Sequence, residues 1–327
     1  MAFVAGFGIA LLLTPAAGAV GRAMRLVDRP GDVLKIHAQP IPVVGGVGVV
    51  AATFAAYAVV ARSLPLAPVA AALMLLAIGL LDDARTLPPS VRLVGQASAG
   101  AILVAGGLRL EPLGPAGVPA AVLVVVLSAN AVNMMDGQDG LVGGLGAIAA
   151  LGLAGLAAWN DAGPALMLAL SLAGALAAFL LWNRPPARIF LGNGGAYAVG
   201  VLLAVIGMMI ALRDGWRGLL AAGACLGVFA FEVVYTVLRR VASGRAVVPG
   251  DRFHSYDVTA ILAGGRARST GIFWVLGAAA AALGLAVGRL PLAVGGPVLA
   301  VASVAAAVGG GLLFRRTRAM ERGGPDE

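Results

Sequence analysis

The chain is predicted to be an all-α polytopic membrane protein of about eleven transmembrane helices, with its N-terminus outside and its C-terminus cytoplasmic. Three observations predict this. Hydrophobic residues make up 60% of the chain and charged residues 12%, whereas an ordinary soluble domain is about 25% charged. Eleven apolar stretches approach the roughly 20 residues that cross a bilayer. When the loops between them are assigned alternately to two sides, one side collects 18 of the 23 Lys and Arg, which marks it as cytoplasmic.

The first stretch, 3–20, ends in TPAAGAV, which looks like a small-residue cleavage site. No basic residue precedes it, whereas Arg22 and Arg25 follow it, so an uncleaved anchor is expected rather than a secretory signal. The stretch 43–61 opens with Gly45 and Gly46, which allow close helix packing. The next, 66–81, runs directly into Asp82 and Asp83. Stretches at 93–108 and 118–132 flank a short outer loop, and 141–158 and 164–182 follow. Arg213, Asp214 and Gly215 separate 195–212 from 217–238, and 270–288 with 290–313 complete the set. An even number of helices would put the basic tail on the wrong side. Residues 1–314 are read as one integral-membrane domain and 315–327 as a short basic cytoplasmic tail. Cys225 is the only cysteine and lies in a predicted helix, so no intrachain disulfide forms. The net charge of +8 is first a topology signal and then a hint of anionic lipid or a phosphate-bearing substrate; nucleic acid is not an expected partner.

The outer loops are chemically plain, and the dense polar motifs fall in five inner loops. In DRPGDVLKIHAQPIPVVGG, Lys35 and His37 alternate on a Pro-bounded segment, where an ammonium and an imidazole can meet a phosphate or simply be solvated. Asp82 and Asp83 are adjacent carboxylates at a membrane boundary, which repel unless a cation or proton intervenes. They are candidates for metal binding, for phosphate binding through a metal, or for general base work; the alternative is a solvated helix end with Arg85 as partner. NAVNMMDGQDGL sets Asn130, Asn133 and Asp136 along one helix end, with Gly137 and Gly140 turning the chain about Asp139. This row of hard oxygen donors suits Mg²⁺, and it lacks the spaced acids of a calcium loop. In WNRPPARIFLGNGG, Gly192, Gly194 and Gly195 expose backbone N–H groups to an anion or serve packing alone. GDRFHSYD offers Arg252 for a bidentate phosphate contact and His254 as a donor or acid. Glu232, inside a predicted helix, is either functional or a partner of Arg239.

Together these loops resemble the polyprenyl-phosphate N-acetylhexosamine-1-phosphate transferases. The resemblance covers most of the chain and keeps the family's motif order: Lys35, His37, Pro40, Gly45 and Gly46; then Asp82 and Asp83; then NAVNMMDGQDGL; then Asn183 with IFLGNGG; then GDRFH. It implies transfer of a sugar 1-phosphate from a UDP-N-acetylhexosamine to a polyprenyl phosphate such as undecaprenyl phosphate at the cytoplasmic face of the cell membrane. UMP leaves, and cell-envelope glycan synthesis begins. It implies Mg²⁺, with Mn²⁺ as a substitute, held by Asn133 and Asn193. Asp82, Asp83 and Asp136 would be catalytic, with the Asp82 and Asp83 pair near the lipid phosphate. Lys35, His37, Asn130, Asp139, Asn183, Arg252 and His254 would bind substrates, and apolar grooves would hold the isoprenoid. A homodimer is compatible with the resemblance.

Two departures touch the chemistry. The family's metal-binding aspartate after IFLG is Asn193 here, and the histidines that follow the one matched by His254 are Tyr256 and Asp257. An amide keeps a carbonyl oxygen but brings no charge, so weaker metal binding is expected. The DRFH form is closer to the N-acetylglucosamine branch than to the muramoyl-pentapeptide branch. The alternatives are a catalytically impaired member, or a membrane protein that binds or transports lipid or nucleotide sugar without chemistry. A transporter would show polar groups along helix centres, and few are present.

Overall fold

The computed structural model describes residues 1–29, 39–242 and 253–322. The described residues are all-helical apart from one short two-stranded ladder, with 84% of them in helix. In order, the elements are α1 (Ala2–Ala23), β1 (Val27–Asp28), β2 (Ile41–Pro42), α2 (Gly45–Ala61), α3 (Leu66–Ala84), α4 (Pro89–Ala105), a 3-10 segment (Glu111–Ala116), α5 (Gly117–Met135), α6 (Leu141–Trp159) and α7 (Gly163–Asn183). They continue with α8 (Gly192–Cys225), α9 (Gly227–Ala242), α10 (Ser255–Ala263), α11 (Arg266–Arg289) and α12 (Leu292–Arg322).

Among the described residues, eight helices are long and apolar enough to cross a membrane, and Gly45–Ala61 is a shorter apolar helix. The expected eleven therefore differ from the observed set in identifiable places. Helix α4 has 17 residues and carries Arg92 and Gln96, which lower its hydropathy. Helix α8 consists of two helical limbs joined at Gly215, whose backbone (φ 58°, ψ −136°) is not helical. A Cβ placed on Gly207 would lie 3.4 Å from the Ala222 Cβ, and one on Gly218 would lie 2.9 Å from the Ile210 carbonyl oxygen. The chain thus doubles back at the boundary expected between 195–212 and 217–238. The second of those stretches is itself divided at Leu226, beyond which α9 begins. Helix α10 was not expected, and α12 continues into the stretch read as a tail.

The first limb of α8 is the buried axis of the molecule: Gly194 through Met208 are all buried. Packing against it uses small residues, because without a hydrophobic drive between lipid and helix, association depends on close van der Waals contact. A Cβ on Gly46 of α2 would lie 2.1 Å from the Gly195 Cα, and one on Gly79 of α3 would lie 2.2 Å from the Gly194 Cα. Two helices therefore touch the first turn of α8 backbone to backbone. At the same end, β1 pairs antiparallel with β2, with Val27 opposite Pro42. The Phe190 N–H donates to the Pro42 carbonyl at 2.8 Å, and the Gly45 N–H donates to the Phe190 carbonyl at 2.9 Å. These bonds tie the segments after α1, before α2 and before α8 into one polar shelf.

Gly79→Val should destabilise the protein by about 1–3 kcal/mol, because the new side chain meets backbone that has nowhere to move. Thermal unfolding of the detergent-solubilised protein checks this, and an unchanged midpoint would refute the backbone contact.

Candidate active site

The shelf borders a cavity of about 1030 Å³, lined by residues from α1, α3, α5, α7, α8 and α11 and from the segments next to them. Asp83, Asn133, Asp136, Asp139, Asn183 and Asn193 all line it. Of the other expected site residues, Asp82, Asn130 and His254 are placed elsewhere, and Lys35, His37 and Arg252 lie outside the described residues.

The adjacent acids at the end of α3 have separate environments. Asp82 is buried, and its Oδ1 accepts the Leu87 N–H at 2.7 Å. Its Oδ2 accepts from Arg92 Nη1 at 3.3 Å and from Asn193 Nδ2 at 3.2 Å. Asp82 thus closes the turn between α3 and α4 and is charge-compensated by Arg92. The alternative partner, Arg85, is not used in this way. Asp83 turns to α8: its Oδ1 accepts the Asn193 N–H at 3.2 Å, while Oδ2 is buried with no hydrogen-bond partner among the described residues. A carboxylate is unfavourable at a helix C-terminus, but the N-terminus of α8, beside it, offsets this. The glycines at 192, 194 and 195 therefore do not form an open anion seat. Gly194 and Gly195 are packed against α3 and α2, and the anion on the Asn193 N–H is Asp83 itself.

Asn193 bridges two helices. Its Oδ1 accepts from Asn133 Nδ2 at 2.6 Å and its Nδ2 donates to Asp82, a pair of roles that an amide fills without adding charge. Asn130, expected to share a face with Asn133, donates at 2.6 Å to Gln96 Oε1 on α4. Three residues is about 60° short of a full helical turn, enough to point the two amides at different neighbours. Asp136 stands at the end of α5. Burial, then Asp83 and Asp139, push its carboxyl well above the usual carboxylate range, so it favours a proton or a nearby cation. Asp139 Oδ2 accepts the Ala187 N–H at 2.9 Å. Asn183 is wholly committed to the backbone: its Oδ1 accepts the Gly140 N–H and its Nδ2 donates to the Ile189 carbonyl, each at 2.9 Å. It holds the cavity wall in shape while lining it.

Sequence reasoning did not single out Arg22, Arg188 and Arg266, which line the same cavity. Their only signal was membership of the inner-side basic set. Gln138, buried within the NAVNMMDGQDGL turn, donates through Nε2 to the Tyr256 carbonyl at 3.1 Å and anchors α10 to that turn. His254 caps α10 and is buried against Glu232, with Nδ1 2.8 Å from Oε1. Glu232 thus gives its carboxylate to the 254–255 segment. In the first turn of α10, burial raises the Asp257 carboxyl to about 6.

Among the described residues, no three His, Cys, Asp or Glu side chains are grouped so as to hold a metal ion. Mg²⁺ does not need such a cage, since it keeps waters and takes one or two carboxylates plus substrate phosphate. The unpartnered Oδ2 of Asp83 and the raised carboxyl of Asp136, with the amide oxygens of Asn133 and Asn193 beside them, fit that requirement.

The glycosyl transferase family 4 model matches residues 65–211, from α3 through the first limb of α8. A Bacillus subtilis protein named as an undecaprenyl-phosphate N-acetylglucosaminyl 1-phosphate transferase is 25% identical over 272 residues, 78% of this chain and 75% of its own length. A Streptomyces coelicolor protein named as a glycosyltransferase is 34% identical over 258 residues, 74% of this chain and 60% of its own. A Rhodococcus opacus phospho-N-acetylmuramoyl-pentapeptide-transferase is 38% identical over 117 residues, 35% of this chain and 31% of its own. The chain thus spans less than two thirds of the latter two relatives. The matched region holds α3, α5 and the start of α8, which carry Asp83, Asn133 and Asn193 into the cavity, and these similarities support the resemblance to the polyprenyl-phosphate N-acetylhexosamine-1-phosphate transferases.

Proposed function

We propose that the chain transfers an N-acetylhexosamine 1-phosphate from a UDP-sugar to a polyprenyl phosphate at the cytoplasmic membrane face, releasing UMP and beginning an envelope glycan. The observation that carries this reading is the meeting of both charges in one cavity: Asp83, Asp136 and Asp139 with the amides of Asn133 and Asn193, and Arg22, Arg188 and Arg266, all line it. A diphosphate needs cationic groups for its oxygens, and transfer between phosphates needs positioning and charge stabilisation more than covalent chemistry. In the step, an oxygen of the lipid phosphate bonds to the sugar-bearing phosphorus, and the bond from that phosphorus to the oxygen bridging to UMP breaks. The lipid phosphate is largely ionised at neutral pH, since such groups have a second pKa near 6. Asp83 therefore acts mainly to position the attacking phosphate, with its free Oδ2 open to a proton or a bound cation. Asp83, Asn133, Asp136 and Asn193 would hold Mg²⁺, which when bound supplies charge neutralisation on the diphosphate. Arg252, Lys35 and His37 complete the expected phosphate contacts.

The Bacillus relative's name and the DRFH form together favour N-acetylglucosamine as the sugar. A second reading, substrate binding with impaired turnover, draws on Asn193: its amide donates to Asp82 and adds no charge to the metal-facing group.

Purified protein with Mg²⁺, undecaprenyl phosphate and UDP-N-acetylglucosamine should release UMP, and Asp83→Asn should lower that release by about 100-fold or more. No UMP from a panel of UDP-N-acetylhexosamines would overturn the transferase reading. Asn193→Asp places a further acid beside Asp82 and Asp83. It should lower the thermal midpoint in chelator, restore it on Mg²⁺ addition, and raise Mg²⁺-dependent turnover. A midpoint indifferent to Mg²⁺, with unchanged turnover, would remove position 193 from the metal site.

A further inference from the structure

Helix α9 carries an unusual polar face inside an apolar protein. Glu232, Thr236, Arg239 and Arg240 are all buried, at the i, i+4, i+7 and i+8 spacing of one helical side. Glu232 is 0% exposed, a setting in which an unpaired carboxylate would be strongly penalised. It is not unpaired. Its Oε1 accepts the Thr236 hydroxyl at 2.7 Å and faces His254 Nδ1 at 2.8 Å. Its Oε2 accepts the Ser255 N–H at 3.3 Å and the Ser255 hydroxyl. Three donors and one imidazole nitrogen from α9 and the start of α10 therefore converge on one carboxylate.

His254 is held on its other side too. Its ring lies parallel to Tyr256, with 5.3 Å between centroids and 1° between planes. The Tyr256 hydroxyl lies over Gly137 so closely that a Cβ there would come within 2.1 Å of it, and Gly137 lines the cavity. The Tyr256 carbonyl accepts from Gln138 of the same turn and from the Ser269 hydroxyl at 2.8 Å. The imidazole is thus fixed edge-on by Glu232 and face-on by Tyr256, one ring away from the turn that carries Asp136 and Asp139.

We infer that Glu232 is a positioning residue for the transfer reaction: it keeps the proton of His254 on Nδ1 and so leaves Nε2 as the unprotonated nitrogen of a ring stacked on Tyr256, next to the cavity-lining Gly137. A carboxylate on one ring nitrogen sets the tautomer and the orientation of the other. The Asp, His and Ser arrangement of serine proteases is the general precedent, in which replacing the carboxylate by an amide leaves the geometry but gives the wrong tautomer. Thr236 and Ser255 hold the carboxylate, and Tyr256 prevents the ring from tipping. The inference rests on the proposed transferase reading for the ligand, but not for the tautomer.

Nitrogen-15 NMR of histidine-labelled full-length protein in detergent tests the tautomer without turnover. The chain has two histidines, and His254→Gln assigns the signal. The unaltered chain should show a protonated Nδ1 at His254, and Glu232→Gln should shift the proton toward Nε2 or mix the two forms. In the UMP assay, Glu232→Gln and His254→Gln should each lower kcat by about 100-fold, whereas Glu232→Asp should recover a measurable part of it. Similar thermal midpoints of the Gln and Asp variants would separate positioning from folding. An unaltered His254 signal in Glu232→Gln overturns the inference. So does full turnover by Glu232→Gln while His254→Gln is inactive. A tautomer switch in a chain that releases no UMP at all would mark failure of the transferase reading, with the dyad itself intact.

Discussion

Contact between the first turn of α8 and the glycines of α2 and α3 is the constraint on which the site depends. Gly79 meets Gly194 and Gly46 meets Gly195 at distances no side chain permits. Backbone-to-backbone approach brings the C-terminus of α3 against the N-terminus of α8, opposite ends of two helix dipoles. That pairing lets Asp83 sit at a helix end where an acid is otherwise unfavourable, because the Asn193 N–H completes it. In lipid, where helix association lacks a hydrophobic drive, small residues are what permit this approach. The Ala and Gly richness of the chain is therefore part of how its acids are positioned.

Around that contact the polar groups divide into satisfied and waiting ones. Asp82, Asn183 and Asp139 spend their oxygens on backbone N–H groups and Arg92, and their role is to hold loops in register. Asp83 keeps one buried oxygen without a partner among the described residues, and Asp136 is pushed toward its neutral form by burial and then by its acidic neighbours. A group left this way in a protein interior is held by the surrounding fold, and such strain concentrates where a ligand completes the set. The neutral amides of Asn133 and Asn193 bridge α5 and α8 between these acids.

The α9 and α10 region solves a different problem. A carboxylate in an apolar setting is tolerated because every oxygen has donors, and those donors come from both sides of the 242–255 connection. Docking of α10 through Gln138 and Ser269 then keeps His254 in a fixed relation to the turn holding Asp136. The polar network thus links a helix outside the central bundle to the cavity wall.

Composition and the lengths of the apolar stretches pointed to an all-helical polytopic membrane class and to the position of many of the helices. These are properties of single segments and are legible without partners. The five-motif pattern likewise pointed to the family. Orientation within each motif was not legible. Asp82 and Asp83 are neighbours yet face Arg92 and α8 respectively, and Asn130 and Asn133 share a helix end yet meet α4 and α8. The cavity-lining arginines were indistinguishable in sequence from solvated ones, and the glycines after IFLG fitted an anion seat as well as they fitted packing. Their roles depend on contacts between residues far apart in the chain, 110 positions in the case of Asp83 and Asn193. Which side of a helix such a contact uses is set by how the helices pack, and no local pattern carries that information.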